Sequence, residues 1–213
     1  MGRSLGLLLV VLSLVPAAHA QNTKSDLTWM FAYRDKGENA LAWDARFAPM
    51  LKANLPATPL PSWSNEPVNE AAQTFLGGAP GDIEVRNQRY VLASGCPAHA
   101  CVSHGMLWVD TVSNVFFFVA AADEQFNGTR ATSAQYPIKS AKLYITTKSA
   151  IGPDALPDDL CQSVVRWLHL IGALEVTDAT LLTPEGSQPV SLEKIGWVHN
   201  YLHATHPAPQ AAR

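Results

Sequence analysis

The sequence carries little charge and no excess of basic residues. Charged residues make up 15% of the 213-residue chain, and 15 Lys and Arg stand against 18 Asp and Glu, for a formal net charge of -3. Proteins that bind nucleic acids neutralise phosphate groups with clustered Lys and Arg. We therefore expect no nucleic-acid partner. The 47% of hydrophobic residues is typical of a globular protein.

Long apolar runs are scarce. Residues 5–15 form an uncharged, mainly apolar run of 11 residues, whereas a membrane-spanning helix needs about 20. Arg3 precedes this run and Ala18-His19-Ala20 follows it, which is the order of a basic region, an apolar region and a signal-peptidase site. Residues 1–20 are therefore predicted to be a secretory signal peptide. We expect the mature chain to start near Gln21 and to have no membrane span.

The sequence also lacks the short motifs of common hydrolases. Neither Gly-x-Ser-x-Gly nor His-Glu-x-x-His occurs, and the Ser-x-x-Lys match at residues 191–194 has none of its companion motifs. Ser191 is better explained as a helix cap. A nucleophilic pair of Cys101 and His104 would require a free thiol. We predict no catalytic residue and no cofactor, and an enzyme is the least favoured class of function.

Two histidine-containing clusters make a metal site an alternative. The first combines two cysteines with two nearby histidines: Cys96, His99, Cys101 and His104. The second would occupy one face of a C-terminal helix: His199, His203 and His206. Structural zinc sites commonly use two short ligand pairs, and an oxidising compartment favours a disulfide over a thiolate site. A solvated polar stripe is the simpler interpretation of the second cluster, so no metal site is predicted.

Apolar periodicity predicts helices towards the two ends of the chain and strands between them. Residues 39–55 and 158–171 repeat apolar side chains every three or four positions, as amphipathic helices do. Alternation of Trp29, Phe31 and Tyr33 predicts a short strand near the N-terminus. Further strands are predicted at residues 83–85, 90–92, 106–109, 115–120 and 143–146. Because no helix is predicted between these later strands, an antiparallel meander and an α+β fold are expected.

Three cysteines in an exported protein allow one disulfide and one free thiol, and three pairings are open. Cys96 and Cys101 are separated by four residues between two predicted strands, which favours a local bridge. Cys161 lies beside the apolar face of a predicted helix and is interpreted as a buried thiol. Closing a loop of about six residues contributes about 2 kcal/mol at most. Such a bridge would serve mainly to fix the shape of the loop.

His99 lies near the apex of this short loop, between Ala98 and Ala100. Pro97 stiffens the loop by fixing its own φ. One interpretation is a tight turn whose histidine is merely solvated. The other is a side chain that a rigid loop presents to a concave partner, since preorganisation lowers the ordering cost of binding. The residues alone leave both interpretations open.

An ordered set of motifs extends over about residues 40–120. It consists of Leu60-Pro61-Ser62-Trp63 after the first helix, Asp82-Ile83-Glu84-Val85, Tyr90 and Ser94, the loop Cys96-Pro97-Ala98-His99-Ala100-Cys101 and the turn Ser113-Asn114. This set resembles the bacterial periplasmic inhibitors of vertebrate lysozyme. Members of that family have a signal peptide, a Leu-Pro-x-Trp segment and a Cys-x-x-His-x-Cys loop.

The resemblance implies a fold, a location and a function. The fold would be a central antiparallel sheet with helices packed on one side, and the location would be the periplasm. The Cys96–Cys101 loop would enter the active-site cleft of a c-type lysozyme or related muramidase, where His99 would hydrogen-bond the catalytic carboxylates. Pro97, Ala98 and Ala100 would contact the target. The family loop usually reads Cys-Lys-Pro-His-Asp-Cys, so these three residues replace Lys, Pro and Asp.

The chain is thus expected to divide into four parts. Residues 1–20 are the signal peptide, 21–146 the inhibitor-like α+β domain, 147–206 a helical extension packed on that domain, and 207–213 a disordered tail. The expected partner is a lysozyme-like glycoside hydrolase, and a homodimer is left open. A second class of function keeps the same fold as an envelope interaction module without inhibitory activity.

Overall fold

Seven strands form one sheet, and their order across the sheet follows their order along the chain. The computed structural model describes residues 26–61, 63–78, 81, 83–123 and 138–197. The strands are β1 Ile83–Arg86, β2 Tyr90–Gly95, β3 Ser103–Asp110, β4 Val115–Asp123, β5 Ala141–Thr146, β6 Val176–Thr183 and β7 Gly186–Pro189. Neighbouring strands are antiparallel except β5 and β6, which are parallel. The α+β class and the predicted meander from β1 to β5 are confirmed.

Helices precede the sheet and connect its last strands. Within the described residues the α-helices are α1 Glu38–Ala42, α2 Phe47–Asn54, α3 Val68–Leu76, α4 Asp158–Leu170 and α5 Leu192–Ile195, with 3-10 helices at Thr28–Tyr33 and Pro153–Ala155. None of these helices has both the length and the apolar character that crossing a bilayer requires. The predicted signal peptide, the C-terminal histidines and the tail lie outside the described residues.

The side chains of β4 alternate between two hydrophobic cores, one on each face of the sheet. Phe116 and Phe118 belong to the core covered by α1, α2 and α3, whereas Phe117 and Val119 belong to the core that contains α4 and α5. Helices therefore lie on both faces, and not on one face as the resemblance implied. The reason is that β3 and β4 are apolar at successive positions, so neither face can be left in water without a large cost.

The predicted helical extension contributes strands as well as helices. α4 is the crossover connection that the parallel pairing of β5 with β6 requires. β6 then continues into the edge strand β7 through a tight hairpin with Gly186 at positive φ. Residues 147–197 therefore belong to the same sheet and the same core as the strands before them.

The N-terminal region differs most from its prediction. Residues 28–33 form a 3-10 helix and not a strand, and the Asp26 carboxylate accepts hydrogen bonds from the backbone N–H and the hydroxyl of Thr28 at 2.9 and 2.6 Å. The single helix predicted at 39–55 is divided into α1 and α2. The break lies at Asp44, whose carboxylate accepts from the backbone N–H of Arg46 at 2.8 Å. At both places an Asp carboxylate binds the backbone N–H two residues further on, and such local hydrogen bonds compete with the structure that the apolar pattern predicts.

A partly buried polar cluster fixes α4 to the sheet. The Asp159 carboxylate accepts hydrogen bonds from Arg86 Nη2 on β1 and from Trp108 Nε1 on β3, both at 3.0 Å. Arg86 also donates to the Ser163 hydroxyl one turn further along α4. Because a buried charge is costly unless it is paired and hydrogen-bonded, these contacts fix the position of α4 across β1 to β3.

The turn between β3 and β4 is built around one buried carboxylate. Asp110 accepts two hydrogen bonds from the Arg89 guanidinium at 2.9 and 2.6 Å, and others from Val112 and Ser113. Burial alone would raise the pKa of Asp110, but the hydrogen bonds from Arg89 and Ser113 outweigh this effect and hold the pKa well below its usual range. The ionised carboxylate therefore stabilises the folded state.

We predict that Asp110→Asn lowers the free energy of unfolding at pH 7 by about 1–3 kcal/mol, the usual contribution of hydrogen bonds to a charged group. In the wild type, this contribution is present above the ordinary Asp pKa of 3.8 and is lost as the pH falls towards the lower folded pKa. Urea unfolding at pH 7, 4 and 3 should therefore show a smaller acid-induced loss in the variant. An equal loss in both proteins would contradict the prediction.

Candidate functional site

The connection between β2 and β3 is a short loop closed by a disulfide. Cys96 and Cys101 are bonded, and their Cα atoms are 5.0 Å apart. Cys161 is a buried free thiol on α4, and burial raises its pKa. The pairing favoured by the sequence is therefore confirmed, together with the interpretation of Cys161.

The loop makes one tight turn with His99 at its tip. The backbone N–H of Ala100 donates to the carbonyl of Pro97 at 3.0 Å, which closes the turn. Ala98 and His99 are exposed and Ala100 is partly exposed, whereas Pro97 is buried. Three of the four residues expected to contact a target are thus accessible, while Pro97 supports the turn from the protein side.

His99 adopts a left-handed backbone conformation, with φ of 62°. This region costs an L-residue about 1–2 kcal/mol, a cost that glycine does not incur. Asn, Asp and His are the side chains most enriched in this region, and similar φ values occur at Asp35, Ser64, Asn65, Asn87, Gln88 and Asn114. At the tip of the disulfide loop, the position that glycine would occupy without strain carries an imidazole instead. Strain of this kind is concentrated at functional sites.

The base of the loop rests on the hydrophobic core. Gly95 and Gly105 are paired across β2 and β3 just below the loop. A β-carbon at Gly105 would lie 2.8 Å from ring atoms of both Phe75 and Phe118, so only glycine admits this contact. Phe75 in turn packs edge-on against Trp63, with ring centroids 5.0 Å apart. The tryptophan of the Leu-Pro-x-Trp motif is therefore connected to the loop through Phe75, a residue that the sequence patterns did not single out.

His104, the second histidine near the loop, is a support and not part of the exposed tip. It lies in β3 opposite Ala121 and is half-buried. Burial lowers its pKa below the ordinary value of 6.5, and a hydrogen bond to the backbone of Cys101 opposes this only in part. The folded state therefore favours the neutral form of His104. Of the two histidines, only His99 is exposed at the tip of the loop.

The alternatives that required free cysteines at the loop are removed by the disulfide. Cys96 and Cys101 offer neither a thiolate ligand for zinc nor a nucleophile for His104. Among the residues that the structure describes, no group of three or more potential metal ligands is found. Ser191 caps α5, because its hydroxyl oxygen accepts a hydrogen bond from the backbone N–H of Lys194 at 3.1 Å. This confirms the interpretation of Ser191 as a cap.

The loop surface has a simple electrostatic character. Residues 94–105 contain two histidines and no Asp, Glu, Lys or Arg. The exposed tip therefore offers one imidazole, which can donate at one nitrogen and accept at the other, or donate at both when protonated. Nothing in this segment would repel a carboxylate. The arrangement can place a single hydrogen-bonding group into an acidic recess.

We predict that His104→Gln reduces the loss of stability on acidification. The folded state binds this proton more weakly than the unfolded chain, so stability is complete above the ordinary His pKa of 6.5 and falls as the pH drops below it. Thermal unfolding at pH 7.5 and 5.5 should show a smaller shift in the variant than in the wild type. His169→Gln on the exposed side of α4 is the matched control. If both variants behave like the wild type, His104 does not couple pH to the loop.

Comparison with known proteins leaves the function to be argued from this site. No protein-family model matches the chain, and no curated protein and no solved structure matches it either. The resemblance to the lysozyme inhibitors therefore depends on the motif residues themselves, and its weight comes from the geometry of the loop that carries His99.

Proposed function

We propose that this protein is a periplasmic inhibitor of a c-type lysozyme or a related muramidase. It would act by inserting the disulfide-closed loop into the active-site cleft, with His99 leading. The observation that carries the proposal is the exposed imidazole at a left-handed position, at the tip of a loop closed by Cys96 and Cys101.

The chemistry of a muramidase cleft is complementary to such a tip. Glycoside hydrolases of this kind use two carboxyl groups flanking the scissile bond, one of them protonated because its pKa is raised. An imidazole can accept a hydrogen bond from the protonated group and donate to the ionised one. Because residues 94–105 contain no acidic side chain, no like charge opposes entry.

The shape of the loop also supports insertion into a narrow cleft. Ala98 and Ala100 flank His99 with only methyl groups, so the tip is slender. The bridge, the turn and the core contacts of Gly105 hold the loop in one shape before binding. A rigid ligand loses less conformational entropy on binding, which favours affinity without a larger contact area.

The net charge favours the same partner. Removal of the predicted signal peptide would leave 14 Lys and Arg against 18 Asp and Glu, and c-type lysozymes are generally basic. Opposite net charges increase the rate at which two proteins associate, and added salt screens this attraction. This contribution is modest, and specificity would depend on the loop.

The test is inhibition of cell-wall lysis by the purified mature protein, against c-type, g-type and bacterial muramidases. We expect His99→Ala and His99→Gly to raise the inhibition constant by about tenfold or more, the usual effect at a central interface contact. Gly relieves the backbone strain and Ala does not, so equal losses would assign the effect to the imidazole. His99→Asn keeps hydrogen-bonding groups in a residue that tolerates positive φ and should retain part of the activity.

Val112→Ala is the matched control for these variants, because Val112 is exposed in the turn at the opposite end of β3. It should inhibit like the wild type. Inhibition that is insensitive to every His99 variant would reject the loop mechanism. If the wild type slows none of the muramidases, the inhibitor function is wrong, and the envelope interaction module becomes the better account of a tip with methyl flanks.

A further inference from the structure

Gly78 and Gly81, which follow α3, lie directly behind the disulfide loop and the strand that leads into it. A β-carbon at Gly78 would lie 2.0 Å from the carbonyl oxygen of Cys96 and 2.7 Å from the backbone nitrogen of Ala98. A β-carbon at Gly81 would lie 2.0 Å from the carbonyl oxygen of Ser94, on β2 just before the loop. The two glycines therefore contact the backbone of the loop and of the strand that leads into it.

These glycines are required by space and not by conformation. Among the residues that the structure describes, the glycines with positive φ are Gly172, Gly186 and Gly196, and neither Gly78 nor Gly81 is one of them. The atoms they would meet belong to the backbone, which cannot turn away as a flexible side chain could. As a sequence pattern, the cluster of Gly and Pro at residues 77–81 is typical of a break between elements. The structure gives it a second role.

The contact lies on the inner side of the loop. Pro97 is buried, whereas Ala98 and His99 are exposed. α3 ends at Leu76, and Phe75 anchors this end of the helix in the core below Gly105. The segment beginning at Gly77 therefore starts from a fixed point, and its backbone limits how far the loop can move towards the protein.

We propose that Gly78 and Gly81 form a seat for the loop and are positioning residues, which set the direction in which His99 is presented. The inference deepens the proposed function and rests on it, since direction matters only if the loop enters a partner. A side chain at either position must displace the loop or β2. Displacement by about 1 Å is enough to cost a preorganised site much of its effect.

The experiment compares Gly78→Ala and Gly81→Ala with Gly152→Ala. Gly152 is the matched control, because a β-carbon there meets nothing within 4 Å and its φ of -86° suits any residue. The first readout is the inhibition constant for the muramidase that the wild type inhibits best. The second is the equilibrium of the Cys96–Cys101 disulfide with a glutathione buffer, measured in a Cys161→Ala background so that only the loop cysteines react.

We expect Gly78→Ala to weaken inhibition at least tenfold and to shift the disulfide equilibrium by about tenfold, which corresponds to about 30 mV. Gly81→Ala should act in the same direction, and Gly152→Ala should leave both readouts unchanged. The disulfide equilibrium is measured on the free protein, without a muramidase. It therefore reports a change in the position of the loop independently of binding. Unchanged inhibition by Gly78→Ala, or an unchanged disulfide equilibrium, would overturn the inference.

Two further outcomes separate this inference from the proposed function. If the wild type inhibits no muramidase, the proposed function fails, and the disulfide equilibrium alone then decides whether Gly78 seats the loop. If Gly78→Ala does not fold, Gly81→Ala tests the same inference, because its new β-carbon would contact Ser94, which lies outside the disulfide-closed loop. Failure of both variants to fold would overturn the positioning role, because the contact would then be needed for folding itself.

Discussion

The close approach of the Phe75 and Phe118 rings to Gly105 is the contact on which the position of the disulfide loop depends. A side chain at Gly105 would fill the space that the two rings occupy. Through this contact, α3 and β4 fix the point where β3 leaves the disulfide loop. Close-packed interiors change little without a cost, so the loop begins from a rigid base. Its position is thus set by the core beneath it, and the six residues of the loop need to determine only its tip.

Both faces of the sheet that carries the disulfide loop must be covered, and this requires most of the chain. β3 and β4 are apolar on both faces, and each face is covered by its own group of helices. The N-terminal helices supply Phe75 and the seat behind the loop, whereas α4 closes the opposite face and is held there by Asp159. Loss of either layer would expose the strands that carry the loop. Residues 147–197, which the family resemblance did not explain, therefore cover the opposite face of the strands that carry the loop.

Sequence patterns predicted the parts of this structure that local physics determines. The strands from β1 to β5, α4, the Ser191 cap and the Cys96–Cys101 bridge follow from periodicity, capping preference and short separation. Three kinds of feature were not predicted from the sequence. Residues 28–33 alternate like a strand, yet they form a 3-10 helix, and Asp26 accepts a hydrogen bond from the backbone N–H of its first residue, Thr28. α3 was hidden between Pro and Gly clusters, and β6 mixes exposed polar with buried apolar residues. The roles of Gly78 and Gly105 depend on contacts with residues distant in sequence, and single-sequence patterns do not contain such contacts.

The disulfide loop contributes little net free energy to the stability of the fold. Closing about six residues with a disulfide contributes about 2 kcal/mol at most, and holding His99 in the left-handed region costs about 1–2 kcal/mol. The two contributions nearly cancel, so the bridge does little more than offset the strain at the tip. Glycine in place of His99 would remove the cost and keep the bridge. The chain holds Asn87 and Gln88 in the same conformation in an ordinary hairpin turn, so the strain alone assigns no role to His99. Under the proposed function, the geometry held by Cys96 and Cys101 is recovered as binding energy when the imidazole enters the cleft of a partner.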